Sequence, residues 1–397
     1  MRENNIRAVI VGGYVRDFFL NNPSKDIDIE LYRASSLERV QELLKEFGVV
    51  NIVGSSFGVC KLKHEDLELD FSLPRTERKT SSGHKGFEVT THSNIAFEQA
   101  AIRRDFTINA IGYDTLSKSF LDPFNGLKDI CEAKLRYVNK QTFKEDPLRV
   151  LRGVQFSARF NFQLDQNLFL LCKEMIKENL LQELSKERVF EEFLKLMRKA
   201  LKPSIGFKLL YRLQAQHHFK EFENITRKEY VRTIHAIDIL RVNSVNCEKR
   251  ETVLSLSALC YFLDAKNTRT FLSKLTSSKE LVEDVLELNR HSLRVNMSDY
   301  EINKLATYVN IEELISLQSA LFTRKRALSL EIYKRALQLG VLNSAQKPLL
   351  QGRDLIDLGL KPSMEFKKIL DNAYECQIRG EFFTRKEARE WLKKLLS

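Results

Sequence analysis

The stretch that decides the fold is AVIVGGYVRDFFL, residues 8–20. It reads as a strand, a glycine turn and a helix, an arrangement whose exposed backbone N–H groups and helix N-terminus can hold a phosphate chain. Gly12 and Gly13 let the backbone come close to a ligand, and Arg16 adds a fixed cation. A tight turn with no ligand would use the same residues. Shortly after it, DIDIELY at 26–32 alternates with the period of a strand. Asp26 and Asp28 then share one face, and Ile27, Ile29 and Leu31 the other. Paired acids are also found on ordinary solvated strand faces, but their nearness to the glycine turn favours a divalent metal beside a triphosphate.

Working outward, VCKLK at 59–63 and LELDFSL at 67–73 form a second pair of strand patterns, joined through His64, Glu65 and Asp66. Leu67, Leu69 and Phe71 alternate with Glu68 and Asp70, so Asp70 can supply a third carboxylate. Three acids around two magnesium ions would activate a hydroxyl and neutralise a leaving pyrophosphate. With the helical pattern SLERVQELLKEF at 36–47, the region up to about residue 135 predicts a mixed α and β head. Beyond residue 145 the texture changes to long amphipathic patterns, such as ERVFEEFLKLMRKAL at 187–201 and MEFKKILDNAYECQIRG at 364–380. These predict an all-helical remainder and an α+β chain overall.

Two further segments carry charge in a chemically useful order. In AIRRDFTINAIGYD, 101–114, Asp105 stands at an expected helix start with Asn109 four residues on. Arg104 is positioned for a phosphate, and Asp105 and Asn109 for a ribose; a capped helix with solvated arginines is the plainer alternative. In KEDPLRVLRGVQF, 144–156, Pro147 suits a first helical turn and sets Asp146 and Arg149 three apart on one face. Cytosine and adenine both show an amino donor beside a ring-nitrogen acceptor, and a carboxylate with a guanidinium complements both, while uracil and guanine present the opposite order. One Asp and one Arg could thus replace a template base. A helix cap with a local salt bridge would use the same pair.

Composition narrows the class. The chain has 397 residues, 43% of them hydrophobic, enough for a sizeable core and several compact units. No run approaches the roughly 20 apolar residues of a membrane helix, and the opening MRENNIRAVIVGG lacks the pattern of a signal peptide, so a cytoplasmic location is expected. Cys60, Cys131, Cys172, Cys247, Cys260 and Cys376 are scattered singly, which predicts buried, reduced thiols. A formal net charge of +11 suits a polyanionic partner. No 20–50-residue repeat is visible, and no stable protein partner is implied.

GGYVRD, DIDIE, RRDFTINAIGYD, EDPLRVLRGVQFSARF and ERVFEEF, in this order and spacing, together resemble class II tRNA nucleotidyltransferases, the CCA-adding branch of the nucleotidyltransferase and poly(A) polymerase superfamily. LLQGRDLIDLGLKPSMEFKKIL, 349–370, resembles the family tail, while 200–340 matches only in helical texture. The resemblance implies a polymerase β-like head (1–135), a neck that selects the nucleotide base (136–200), and a helical body (201–325) and tail (326–397) that bind tRNA. It implies magnesium at Asp26 and Asp28 with Asp70 as third carboxylate, triphosphate contacts from Gly13, Arg16, Arg104 and Arg152, and base selection by Asp146 and Arg149. It also implies template-independent CCA addition to tRNA from CTP and ATP. Relatives usually carry LRxxRF, where this chain has Gln155 in place of the second arginine; Arg159 is the nearest candidate substitute. The family's flexible loop falls in the long segment 71–102, which contains ERKTSSGHKGFEV, and its retention argues against a CC-only enzyme. No adjacent His-Asp pair occurs, ALCYFLD at 258–264 lacking the histidine, so the phosphohydrolase activity of some relatives is not expected. The rival readings are an A-adding enzyme or poly(A) polymerase within the superfamily and, from another class, a catalytically silent RNA-binding protein of the same fold.

Overall fold

Alternating apolar residues build the first layer. In the computed structural model, which describes residues 4–22, 24–53, 58–79, 87–91, 94–215, 218–243 and 247–396, β1 (Arg7–Val11) runs into α1 (Gly13–Phe19) and returns as β2 (Asp26–Tyr32). There follow α2 (Leu37–Leu44), the strands β3 (Val50–Val53), β4 (Val59–His64) and β5 (Leu67–Ser72), and the hairpin of β6 (Arg75–Lys79) and β7 (Phe87–Thr91). The head closes with α3 (Phe97–Ala101), β8 (Gly112–Asp114), β9 (Ser119–Leu121) and α4 (Gly126–Cys131). Seven strands form one sheet in the order β3-β4-β5-β2-β1-β8-β9. β1 and β2 pair antiparallel and β2 and β5 parallel.

Two apolar clusters hold this sheet. Leu31, Val40, Leu44, Cys60, Leu62 and Phe71 pack together under α2, while Val9, Val11, Tyr32, Phe97 and Ala100 form the second cluster. Each fully buried aliphatic or aromatic side chain contributes about 1.5–3 kcal/mol. α2 starts where the Ser36 hydroxyl accepts from the Arg39 N–H at 3.3 Å, a cap that contributes about 1 kcal/mol.

β10 (Lys134–Leu135) leads to α5 (Lys140–Glu145), α6 (Leu148–Phe160), β11 (Gln163–Leu164), α7 (Gln166–Lys177), α8 (Lys186–Lys199) and α9 (Ser204–Arg212). α6 packs against α8 and α9. Two local expectations fail here. Residues 105–109 do not start an α-helix but form a 3-10 turn, Thr107–Asn109, because the Asp105 carboxylate is taken up by tertiary partners. The chain beyond residue 145 is not wholly helical, since Gln163–Leu164 pairs in parallel with Lys134–Leu135.

The chain divides into two compact units, Met1–Glu223 and Asn224–Ser397. All regular elements described in the second are helical, from Arg227–Val242 to Arg385–Leu396. Its last helices enclose Leu350, Leu355, Ala373, Phe382, Ala388 and Leu392. Asp354, 1% exposed, accepts there from the Gln351 N–H and from Arg385 and Arg389 at 2.7–2.9 Å. Among the described residues no helix is long and apolar enough to cross a membrane. All six thiols are unpaired, but Cys131 and Cys247 are exposed, against the expectation that all would be buried; each lies at a helix boundary, outside the apolar stripe. Residues 80–86 and 92–93 of the segment expected to hold the flexible loop lie outside the described residues.

Candidate active site

Gly12 is the corner on which the site is built. Its backbone, φ 73° and ψ −134°, lies in a region open in practice only to glycine, and a Cβ there would stand 3.1 Å from Arg104 Nη1 and 3.4 Å from Asp28 Oδ2. Gly12 and Gly13 line a cavity of about 380 Å³ together with Arg16, Asp28, Arg104, Asp105 and Asn109 from the head and Asp146, Leu148, Arg149, Arg152 and Arg188 from the helices that follow. Eleven of the expected site residues are therefore accounted for by neighbourhood, ten of them as cavity walls and Asp70 as the register partner of Asp28. Asp26 is exposed on the same face of β2 as Asp28 and does not line the cavity.

The arginines are held by acceptors before any ligand arrives. Arg16, 5% exposed, donates from Nε to Asp17 Oδ1 at 2.8 Å and from Nη1 to Asn109 Oδ1 at 2.6 Å, and its guanidinium stacks over Phe156 and Phe160. Burial lowers its pKa and Asp17 opposes the shift. Arg104 donates to Glu30 Oε1 at 2.9 Å and to the Asn109 carbonyl at 3.3 Å. Asp105, expected to meet a ribose, has both oxygens engaged: Oδ1 accepts from the Phe106 N–H and from Asn109 Nδ2 at 2.8 Å, and Oδ2 from Arg152 Nε at 2.7 Å. Burial alone would raise the Asp105 pKa, but Arg152, Asn109 and Arg149 outweigh it and hold the carboxyl below its ordinary range. In turn Asp105 raises the Arg152 pKa. Asp105 and Asn109 thus orient cations in this state.

The pair expected to read the base is also fixed, though not by each other. Arg149 donates from Nη1 to the Thr142 carbonyl at 2.9 Å and from Nη2 to the Arg103 carbonyl at 2.5 Å. Asp146 ends α5 rather than starting α6, because Pro147 takes the N-cap position. Its Oδ1 accepts from the Leu148 N–H at 3.2 Å and its Oδ2 from Arg188 Nη2 at 2.9 Å.

The acids fit a hard cation in their chemistry, all oxygen donors. Asp28 has its pKa raised by the surrounding protein and, beyond the opposing effect of Arg104, by the charges of Asp70 and Glu30, a balance that a divalent cation would relieve. Among the described residues no three such side chains already converge on one point, and Asp70 is ion-paired with Lys61, its register partner on β4. Asp26 and Asp28 are the residues that would hold a metal, and Asp70 would join them on leaving Lys61.

Sequence reasoning missed Arg188 and Glu30. Glu30, 1% exposed, binds Arg103 and Arg104 through Oε1 and accepts from the Tyr32 hydroxyl through Oε2, each at 2.9 Å. It continues the period-two face of Asp26 and Asp28, the one signal that could have found it. Gln155 is buried, does not line the cavity, and leaves Nε2 without a partner. Arg159 does not line the cavity either; it lies 3.6 Å from Asp17 Oδ2 and over the Phe160 ring.

A family profile, the poly A polymerase head domain, matches residues 8–136, which hold β1 to β9 and the glycine corner. A second, the probable RNA and SrmB-binding site of polymerase A, matches 161–226. The chain belongs to the tRNA nucleotidyltransferase and poly(A) polymerase family. Within that family it is 32% identical over 272 residues to the CCA-adding enzyme of Buchnera aphidicola subsp. Schizaphis graminum, an alignment covering 66% of this chain and 63% of that protein. The alignment therefore spans less than two thirds of the curated relative. A CCA-adding enzyme solved with CTP shares the fold with a TM-score of 0.73 at 20% identity, over 100% of this chain and 93% of that one. The Thermotoga maritima CCA-adding enzyme complexed with tRNA-CCA does so at 0.69 and 20%, over 100% and 93%. At such identity these structures establish the fold of this family member. Nucleotidyltransferases of this family are metal-dependent.

Proposed function

We propose that this chain adds CCA to the 3′ end of tRNA from CTP and ATP, without a nucleic-acid template, in the cytoplasm. The observation that carries this reading is that one cavity is lined both by the glycine corner with Asp28 and by Asp146 with Arg149, so that a triphosphate held at the first would bring its base to the second. The relatives named above, CCA-adding enzymes, support it.

In the transfer, a bond forms between the tRNA 3′ oxygen and the α-phosphorus, and the bond from that phosphorus to the bridging oxygen breaks, releasing pyrophosphate. Magnesium held by Asp26 and Asp28, with Asp70, would supply charge neutralisation and hydroxyl activation. The chain's own residues do the rest. The backbone at Gly12 and Gly13 admits the triphosphate closely, and Arg16, Arg104 and Arg152 spread positive charge along it. Their acceptors hold these cations in place beforehand, so no reorganisation is needed as charge develops. Asp146 accepts from the exocyclic amine shared by cytosine and adenine, while Arg149 donates to the ring nitrogen beside it.

The test is incorporation of CTP and ATP, separately and together with magnesium, into tRNAs ending before CCA, after C and after CC, resolved at single-nucleotide length. Growth by CCA followed by arrest supports the proposal. Extension of the CC-ending tRNA alone identifies an A-adding enzyme, long A tails a poly(A) polymerase, and no extension removes the enzymatic reading.

A further inference from the structure

Asp146 is tied at two points, and one of them comes from a helix to which the nucleotide-site reading gave no role. Asp146 precedes Pro147, which restricts it to extended backbone, observed at φ −119° and ψ 98°. That conformation alone leaves its side-chain torsion free. The Leu148 N–H fixes one carboxylate oxygen and Arg188, from the first turn of α8, fixes the other at 2.9 Å. Arg188 also lines the cavity, so this bond is made at the wall where a base would sit. A carboxylate has about four acceptor sites, so the donors from Leu148 and Arg188 leave room for an incoming amine.

We propose that Arg188 is a specificity-determining residue of the base pocket, holding the Asp146 carboxylate where its remaining lone pairs meet the amine of cytosine or adenine. The proposal rests on the base-reading role given above to Asp146 and Arg149. The two halves of the reader are then anchored separately: Arg149 by the carbonyls of Thr142 and Arg103, Asp146 by Leu148 and Arg188. Without Arg188, Asp146 keeps one tie and can rotate about it. A rotating carboxylate still accepts, but it ceases to reject a base that presents a carbonyl at the amine's place, because the repulsion between two acceptors is relieved by turning away.

The experiment compares the full-length protein with R188A, R188K, R188M and D146A, measuring kcat/KM for CTP against UTP and for ATP against GTP on tRNAs with the matching 3′ ends. R188A is expected to lose about tenfold in discrimination, the size of one charged hydrogen bond, with its larger effect on UTP and GTP incorporation than on CTP kcat. R188K, which keeps a donor, recovers part of the loss. R188M keeps an unbranched apolar stem like that of arginine without the guanidinium and is judged by the same criteria if R188A does not fold. If D146A loses discrimination while R188A and R188M keep the wild-type ratio, or slow all four nucleotides equally, the role of Arg188 is overturned and the base reader stands. If D146A itself keeps the wild-type ratio, the base reader falls, and the proposal with it.

Discussion

Asp105 shows how a single carboxylate can organise the cations of a site. Buried and bonded to Arg152, Asn109 and its own backbone neighbour, it has its pKa lowered despite its burial. A depressed folded-state pKa means the ionised form stabilises the fold, so this contribution is complete above the ordinary aspartate value of about 4 and disappears as pH falls through the lower folded value. D105N keeps the shape and removes the charge; it is expected to cost about 2–3 kcal/mol at neutral pH, with the gap to wild type in urea unfolding shrinking below about pH 4. A gap that widens on acidification would contradict the assignment. At the glycine corner, G12A must both adopt a glycine-only conformation and set a methyl 3.1 Å from Arg104 Nη1, so a destabilisation of about 1–3 kcal/mol and a raised KM for both nucleotides are expected together. That Gly12, Asp28 and Arg149 are candidates for one site was legible because turn chemistry, strand period and base-edge complementarity each act on a few consecutive residues, and all three line the cavity. Arg188 was not, since what gives it meaning is Asp146, 42 residues away in sequence.

The same boundary appears between elements. The first two strands and their glycine corner were readable from alternation, and β1, β2, β4 and β5 fall within a residue or two of the runs that predicted them. β10 and β11 were not, because two-residue strands are too short to show a period. The 3-10 turn at Thr107–Asn109 was read as a helix start for a related reason: Asp105 followed by a polar residue four on has the local signature of a capped helix, and only the tertiary bond to Arg152 redirects it. Where α6 meets α8, the departure from the family pattern has a structural consequence. Gln155 on α6 and Glu192 on α8 are each at most 3% exposed, and each leaves one side-chain atom unpartnered, Nε2 and Oε2 respectively. An orphaned amide costs folding energy that an apolar group of similar shape does not. Q155L is therefore expected to be neutral or up to about 1 kcal/mol more stable in thermal unfolding. Since Gln155 does not line the cavity, CTP and ATP kinetics should stay within about twofold of wild type, well under the tenfold of one charged hydrogen bond. A large kinetic loss with unchanged stability would instead place this residue in contact with the nucleotide.

At the scale of the whole molecule, the proposed chemistry and the proposed RNA binding would draw on different charges. The acids that would carry the transfer occupy one face of two neighbouring strands, whereas the net charge of +11 is a property of all 397 residues. Binding to a phosphate backbone releases counterions, so affinity should fall linearly on a log–log plot against salt, with a slope on the order of −5 for about six neutralised phosphates. Removing one carboxylate at the cavity changes neither that count nor the shape of the duplex that is recognised. D28A should therefore lose incorporation of both CTP and ATP by at least about a thousandfold, the scale on which transition-state electrostatics act, while tRNA affinity stays within about threefold and the salt slope is unchanged. Measuring titrations and single-turnover extension on one preparation separates the two. If D28A kept near-wild-type turnover, Asp28 would not be serving the reaction. If it lost turnover and tRNA affinity in proportion, with a shallower salt slope, the acids would be contributing to RNA docking, and the division between a chemical head and a charge-driven RNA surface would have to be abandoned.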